Sequence, residues 1–168
     1  MKVVVAIDSL KGSLTSLEAG EAIQEGILRA ISDAEVIVRP LADGGEGTVE
    51  ALTRGMNGRY EKITVTDPLG RPTDAVYGIL EDLHTAIIEM SAAAGITLID
   101  AKDRNPMNTT TYGVGEMIKD AIGKGCRHFF IGIGGSATND GGIGMLQALG
   151  YGMLDTEGKQ VSLGAKGL

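Results

Sequence analysis

The stretch that decides the fold reads FFIGIGGSATNDGG and occupies residues 129–142. Its first part, Phe129 to Ile133, is a continuous apolar run, which is typical of a buried parallel strand. The remainder combines glycines with Ser, Thr, Asn and Asp, and a short helix is predicted over residues 142–149. A strand, a polar glycine-rich loop and a helix in this order indicate one βα unit of an α/β protein.

Two segments nearer the N-terminus repeat this order. Val3 to Ile7 and Glu35 to Leu41 are predicted strands, and each leads into a polar loop that contains glycine. These loops, residues 8–13 and 42–48, each precede a predicted helix. Because such loops leave a doubly wound sheet at the carboxyl ends of its strands, we expect all three loops to converge on one crevice.

The middle of the chain has a different pattern. Between residues 58 and 105, apolar or alternating runs predict strands with no helices between them, which favours an antiparallel meander. Helical spacing of apolar residues returns over residues 110–122. The predicted strands of the middle segment are residues 62–66, 75–80 and 85–90.

These patterns predict an α/β fold with a doubly wound, mainly parallel sheet of the Rossmann or flavodoxin-like kind. Residues 1–57 and 106–150 are predicted to form this α/β core, and residues 58–105 are predicted to form an inserted β-rich lobe beside it. Residues 151–168 are predicted to begin a C-terminal continuation that is truncated in this chain.

The bulk composition argues against several function classes. The chain of 168 residues has a net charge of −7, which argues against nucleic acid and anionic membranes as main partners. No apolar run approaches the length that spans a bilayer. With Cys126 as the single cysteine, no internal disulfide can form, so a cytoplasmic location is expected. The composition does not determine the oligomeric state, and it is compatible with a homo-oligomer.

The three loops supply the candidate site. Main-chain N–H groups at helix N-termini bind phosphate or carboxylate groups, and nearby acidic side chains bind cations. The alternative is that the same residues are helix caps and turn formers, as at any βα junction. The polar candidates are Asp8, Lys11, Ser13, Asp43, Glu46, Thr48, Ser136, Thr138, Asn139 and Asp140.

Asp43 and Asp140 are the carboxylates best suited to Mg²⁺, which prefers one or two carboxylates together with phosphate oxygens and water. One of the two could instead accept the proton of a substrate hydroxyl. Lys11 could neutralise a phosphate or a carboxylate, whereas Asp8 is equally suited to capping a helix. The sequence leaves open which aspartate is the base and which is the metal ligand.

Two further charged residues lie outside these loops. Glu89 ends an apolar strand, where a carboxylate must be paired or must face a cleft. Arg104 is a candidate partner for Glu89 or a clamp for a substrate anion. A purely structural ion pair would explain both residues equally well.

The nucleotide-binding motifs are either absent or out of context. The P-loop pattern GxxxxGK[ST] does not occur. Gly132 to Ala137 fits GxGxxA, the turn of dinucleotide-dependent oxidoreductases, so such an oxidoreductase is the alternative function. However, residues 138–142 separate this turn from the next predicted helix, whereas a dinucleotide-binding turn runs directly into its helix. The context therefore disfavours the oxidoreductase.

Several sequence blocks together carry a resemblance to a known family. The blocks are Asp8-Ser9-x-Lys11-x-Ser13-Leu14, Leu41 to Thr48, Ile88-Glu89-Met90, Arg104-Asn105-Pro106 and Gly132 to Gly142. In their order and spacing they resemble the type 1 glycerate kinase family. The resemblance implies ATP-dependent phosphorylation of D-glycerate with Mg²⁺, giving 2-phosphoglycerate, in a site between two α/β lobes.

From this resemblance we expect the catalytic centre at Asp43 and Asp140, with Asp8 and Lys11 beside them. The glycines of the loops would let a ligand approach the main chain. The residues expected to bind the substrate or its phosphate are Ser13, Gly44, Gly45, Glu46, Gly47, Thr48, Glu89, Arg104, Gly134, Gly135, Ser136, Thr138 and Asn139.

Members of this family continue well past residue 168. We therefore expect this chain to be an N-terminal portion, with the missing C-terminal half of the same protein as its partner. On that expectation the nucleotide site is incomplete here. A non-catalytic ligand-binding fragment is the remaining alternative.

Overall fold

The computed structural model describes residues 1–10 and 13–168, so Lys11 and Gly12 lie outside the described residues. The architecture is α/β with parallel and antiparallel strand pairs, which confirms the predicted fold class. None of the described helices is long and apolar enough to cross a membrane. The strands are β1 (Lys2–Ile7), β2 (Glu35–Pro40), β3 (Arg59–Thr66), β4 (Pro72–Leu80), β5 (Thr85–Glu89) and β6 (His128–Gly132), and the helices are α1 (Ser16–Ala30), α2 (Thr48–Gly55), α3 (Ser91–Ala94), α4 (Tyr112–Gly123) and α5 (Ile143–Ala148).

β1 and β2 form a parallel two-stranded sheet, with Lys2 opposite Glu35 at its start. α1 connects the two strands and packs on both of them. At the start of α1, the Thr15 hydroxyl accepts the Glu18 N–H at 3.2 Å, and the Glu18 carboxylate accepts the Thr15 N–H at 2.8 Å. This reciprocal capping satisfies two N–H groups and fixes where the helix begins.

The larger sheet has the strand order β3–β4–β5–β6. β3, β4 and β5 pair in antiparallel fashion, which confirms the meander predicted for the middle of the chain. β6 pairs parallel to β5, from Thr85 opposite His128 to Glu89 opposite Gly132. α3 and α4 lie in the connection between these two strands, so this part of the chain is a βαβ unit.

The pairing of β6 differs from the prediction. The sequence predicts this strand in one sheet with the strands of residues 1–57, but β6 extends the sheet formed by residues 59–89. The side chains of β5 are buried along most of the strand, as expected for an interior strand with neighbours on both edges. The predicted division into a core, an inserted lobe and a C-terminal continuation stays a prediction.

α2 and α4 pack on opposite faces of the larger sheet. Ile87 of β5 lies in a cluster with Val49 of α2, whereas Ile88 lies in the main core with Val114 of α4. Successive strand residues point to opposite faces, so the two helices cover both sides of β5. Cys126 is buried in the main core, and burial raises the pKa of its thiol.

Candidate functional site

Residues from all three glycine-containing loops line one cleft of about 560 Å³, which we call the loop cleft. The loops after β1, β2 and β6 therefore converge on one space. A fourth contribution comes from the first turn of α1. The predicted residues that line the loop cleft are Ser13, Asp43, Gly45, Glu46, Gly47, Gly134 and Gly135.

The loop after β2 lies directly on the loop after β6. The Gly134 N–H donates to the Gly44 carbonyl oxygen at 3.0 Å. A Cβ atom at Gly132 would lie 2.5 Å from that oxygen, and one at Gly134 would lie 2.6 Å from the Gly45 Cα. Because no side chain fits at such distances, these glycines let main chain approach main chain. The contact here is between two loops, whereas the sequence predicts that these glycines let a ligand approach the main chain.

Asp43 and Glu46 are the acidic side chains of residues 42–47 that line the loop cleft. Both are exposed, and the Asp43 Oδ1 accepts the Gly45 N–H at 3.0 Å. Thr48 is buried, and its hydroxyl donates to the Gly45 carbonyl oxygen at 2.8 Å. Thr48 therefore closes the turn, while Asp43 and Glu46 remain accessible to a ligand.

Glu89, at the end of β5, contacts the start of α2. Its Oε1 accepts the Val49 N–H at 2.7 Å. Burial raises the pKa of the Glu89 carboxyl and the charge of Glu46 adds to this, while main-chain hydrogen bonds, first from Val49, oppose the shift. Arg104 is exposed, and no ion pair joins it to Glu89 within the part of the chain that the structure describes. The predicted role of Arg104 as a substrate clamp stays a prediction.

Asp140 is 1% exposed and lies between the starts of α4 and α5. Its carboxylate accepts the N–H groups of Thr111 at 2.8 Å, Gly142 at 3.1 Å and Gly144 at 3.2 Å. The hydroxyls of Thr110 and Thr111 donate to it as well, at 3.4 Å and 2.9 Å. The enclosed carboxylate holds two helices together and does not line the loop cleft. The predicted catalytic and metal-binding roles of Asp140 stay predictions.

Four further predicted residues lie on the same loops but do not line the loop cleft, namely Asp8, Ser136, Thr138 and Asn139. Asp8 is half-buried, and its Oδ1 accepts the N–H of the next residue at 2.7 Å, as a turn residue does. Ser136 and Thr138 share a hydrogen bond between their hydroxyls at 2.7 Å, and Asn139 beside them is exposed. Lys11 lies outside the described residues. The functional roles of these residues stay predictions.

The start of α1 forms a wall of the loop cleft that the sequence analysis missed. Thr15, Ser16 and Glu18 line the cleft together with the loop residues. Hydrogen bonds from Thr15 lower the pKa of the Glu18 carboxyl. The signal was available in the sequence, because a helix that begins directly after residues 8–13 brings its first turn to the same edge of the sheet.

The loop cleft is acidic. Its described lining contains the carboxylates of Glu18, Asp43 and Glu46, but neither Lys nor Arg. Within residues 1–10 and 13–168, no group of three or more His, Cys, Asp or Glu is arranged to hold a metal ion. Mg²⁺ needs only one or two carboxylates when phosphate oxygens and water complete its shell. Asp43 and Glu46 fit that donor set, and the enclosed Asp140 does not.

The fold and the loop cleft define an α/β protein with a cleft at the carboxyl ends of its strands, where α/β proteins commonly bind small molecules. The sequence model of the glycerate kinase family matches residues 3–168, and the chain belongs to this family. It is 50% identical over 164 residues to the glycerate kinase of Haemophilus influenzae and 49% identical over 168 residues to that of Bacillus subtilis. A glycerate 2-kinase of Escherichia coli is 46% identical over 168 residues.

The chain spans less than half the length of these relatives. The three matches cover 98%, 100% and 100% of this chain, but 43%, 44% and 44% of the respective relatives. A solved structure named as a glycerate kinase 2 of Salmonella typhimurium LT2 is 47% identical, with a TM-score of 0.92. That match covers 99% of this chain and 45% of the other chain. The chain therefore corresponds to an N-terminal portion of the family.

Proposed function

We propose that the protein to which this chain contributes transfers the terminal phosphoryl group of ATP to D-glycerate. One observation carries the proposal: in a member of the glycerate kinase family, three loops converge on a cleft that holds Asp43 and Glu46. Phosphoryl transfer depends on positioning and charge neutralisation more than on covalent chemistry. The relative named glycerate 2-kinase supports the 2-hydroxyl as the acceptor and 2-phosphoglycerate as the product.

Asp43 is the carboxylate that we assign to the reacting centre. It is accessible in the loop cleft, and the Gly45 N–H holds its Oδ1 at 3.0 Å. A carboxylate in this position can accept the proton of the glycerate hydroxyl as that hydroxyl attacks phosphorus. Asp43 and Glu46 would also hold Mg²⁺, which neutralises phosphate charge when bound. The hydroxyls of Ser9 and Ser13, which line the same space, suit the carboxylate of D-glycerate.

The phosphates of ATP need positive charge that the described lining of the loop cleft does not provide. Lys11 remains our candidate for this role, because it lies in the loop that supplies Ser9 and Ser13. Mg²⁺ and the remainder of the full-length protein would supply the rest. A cytoplasmic location belongs to the same proposal, since ATP-dependent chemistry and a single cysteine both fit a reducing compartment.

We further propose that the C-terminal part of the full-length protein covers the exposed strands of this chain. Parallel strands are normally buried on both faces, yet Val4 in β1 is 58% exposed and Phe130 in β6 is 56% exposed. Ile133, directly after β6, is 76% exposed. β1 and β6 also each have one edge without a strand partner among the described residues. The extra length of the relatives provides the chain that would cover these residues.

Calorimetric titration tests the proposed function. This chain should bind D-glycerate, and a full-length protein that contains it should also bind ATP with Mg²⁺ and form 2-phosphoglycerate, identified by ³¹P NMR. Binding of D-glycerate by the full-length protein without phosphoryl transfer would favour a ligand-binding protein instead. Tight NADH binding would favour the oxidoreductase, although the helix after the GxGxxA turn begins only at Ile143.

A further inference from the structure

The start of α2 has no capping side chain of its own. Its N-cap residue is Gly47, with a φ of 90°, a left-handed conformation that favours glycine. The first N–H groups of a helix need acceptors from elsewhere. The carboxylate of Glu89 is the acceptor for the Val49 N–H, at 2.7 Å, and the main-chain N–H groups of Gly47 and Thr48 also lower the pKa of its carboxyl.

The loop that precedes α2 has a second anchor on the same sheet. The Gly44 carbonyl oxygen accepts the Gly134 N–H at 3.0 Å. Glu89 and Gly132 are direct partners in the β5–β6 register, so the two anchors come from neighbouring strand ends. Residues 43–47 are therefore held at both ends by the larger sheet, although they follow a strand of the smaller one.

We propose that Glu89 is a positioning residue whose carboxylate fixes residues 42–47, and with them Asp43 and Glu46, against the larger sheet. A Ser or Asp at the N-cap could cap α2 locally. A carboxylate supplied by β5 does more, because it also ties the helix and its loop to the sheet. The inference rests on the proposed function only in taking the loop cleft as the glycerate site.

This contact also decides where a substrate anion binds. In the first turn of α2, the Val49 N–H already has an internal carboxylate as its partner, and the Thr48 N–H donates to the Gly45 carbonyl oxygen at 3.3 Å. A second anion there would meet the charge of Glu89 at close range. The carboxylate or phosphate of a substrate must therefore be bound by other N–H groups and side chains of the loop cleft. The sequence, by contrast, predicts that the helix starts after these loops bind such anions.

Amide NMR and hydrogen exchange on the 168-residue chain test the proposal. Glu89→Gln keeps one acceptor oxygen and removes the charge, and Glu89→Leu removes both. Glu50→Gln is the matched control, because it removes the same charge from α2 itself. In the wild type, the Val49 amide resonance should move as Glu89 ionises, at a pH above 4.5. Neither Glu89 variant should show this titration, and the control should retain it.

Hydrogen exchange measures how much residues 45–49 loosen when the Glu89 carboxylate is removed. Amides of residues 45–49 should exchange about tenfold to a hundredfold faster in Glu89→Leu, as expected for loss of a hydrogen bond to a charged group. Glu89→Gln should fall between the wild type and Glu89→Leu, and it keeps the test valid if the Leu variant does not fold. The ionisable neighbours whose own titrations must be separated from that of Glu89 are Glu46, Glu50, Arg54, Tyr60 and Asp74.

Unchanged exchange together with an unchanged Val49 titration in both Glu89 variants would overturn the proposal. Calorimetry with D-glycerate separates it from the proposed function. If the wild type binds D-glycerate, Glu89→Leu should bind at least about tenfold more weakly, and equal affinity would overturn the positioning role. If the wild type does not bind D-glycerate but the variants still loosen residues 45–49, the loop cleft of this chain alone is not a glycerate site and the positioning role stands.

Discussion

The main-chain oxygen of Gly44 lies 3.0 Å from the main-chain nitrogen of Gly134, so loops that follow strands of two different sheets are joined without any side chain. Gly132 is part of this contact, because a Cβ atom there would lie 2.5 Å from the same oxygen. The glycines of both loops are therefore structural components of the loop cleft.

Gly132→Ala should destabilise the chain. We expect the free energy of unfolding to fall by about 1–3 kcal/mol, the usual cost of overpacking, because the opposing atom is main chain and cannot rotate away. Urea denaturation measures the change. Gly26→Ala is the matched control: nothing lies within 4 Å of a Cβ atom there, so the free energy of unfolding should rise by about 0.5–1 kcal/mol. Similar effects at the two positions would contradict the packing argument.

Asp43→Asn should impair catalysis and leave the fold intact. In the full-length protein we expect kcat for glycerate phosphorylation to fall at least about a hundredfold, the usual loss of a general base. The free energy of unfolding should stay within about 0.5 kcal/mol of the wild type, because Asp43 is exposed. A coupled assay of ADP release measures turnover, with the exposed Asp33→Asn as control. A kcat near that of the wild type would remove Asp43 from the reacting centre.

Asp140→Asn, unlike Asp43→Asn, should lower the stability of the fold. Asn replaces one carboxylate oxygen with an NH2 group that cannot accept, so either the hydrogen bonds that Thr111 and Gly144 donate to Oδ2 or the one that Gly142 donates to Oδ1 are lost. We expect the free energy of unfolding to fall by about 1.5–3 kcal/mol, the value for hydrogen bonds to a charged group. Urea denaturation of this chain provides the measurement, with the exposed Asp82→Asn as control. Lost turnover at unchanged stability would support the catalytic role that the sequence predicts for Asp140.

Tyr77 should make stability depend on alkaline pH. Burial, aided by the hydrogen bond to Asp120 at 2.5 Å, raises the pKa of Tyr77 from 10.0 to about 12. The protonated Tyr77 hydroxyl therefore contributes to the free energy of unfolding below pH 10, and this contribution is lost as the pH rises to about 12. Tyr77→Phe should lower the free energy of unfolding by about 1 kcal/mol at neutral pH.

The alkaline loss of stability should be smaller in Tyr77→Phe than in the wild type. Urea denaturation from neutral pH to about pH 12 gives both values. The exposed Tyr151→Phe is the control and should follow the wild type. Parallel curves for wild type and Tyr77→Phe would show that the Tyr77 hydroxyl does not titrate differently in the folded state.

Local sequence patterns were sufficient for the elements around the loop cleft. The apolar run of residues 3–7 is a strand, and the helical spacing of residues 110–122 is α4. The neighbours of each strand could not be predicted from local patterns, because an apolar run is typical of any buried strand, whichever strand it pairs with. β6 lies beside β5 because the intervening α3 and α4 bring it there, and that is a property of the tertiary fold.

The roles of individual carboxylates were harder to predict than their location. Asp43 and Asp140 both stand next to glycines in polar loops, yet the first is exposed and the second is enclosed. The difference comes from Thr110 and Thr111, which are about thirty residues earlier in the chain. Glu89 likewise finds its donor 40 residues away, at Val49. Such partners become visible only when the chain is folded.

Asp140 and Glu89 also affect how this protein binds inorganic anions from solution. Each carboxylate accepts main-chain N–H groups at the start of a helix, the kind of group that binds sulfate or phosphate in other proteins. The chain thus carries built-in counter-ions. The loop cleft must therefore recognise its ligand by hydroxyl groups, shape and a bound cation, rather than by negative charge alone.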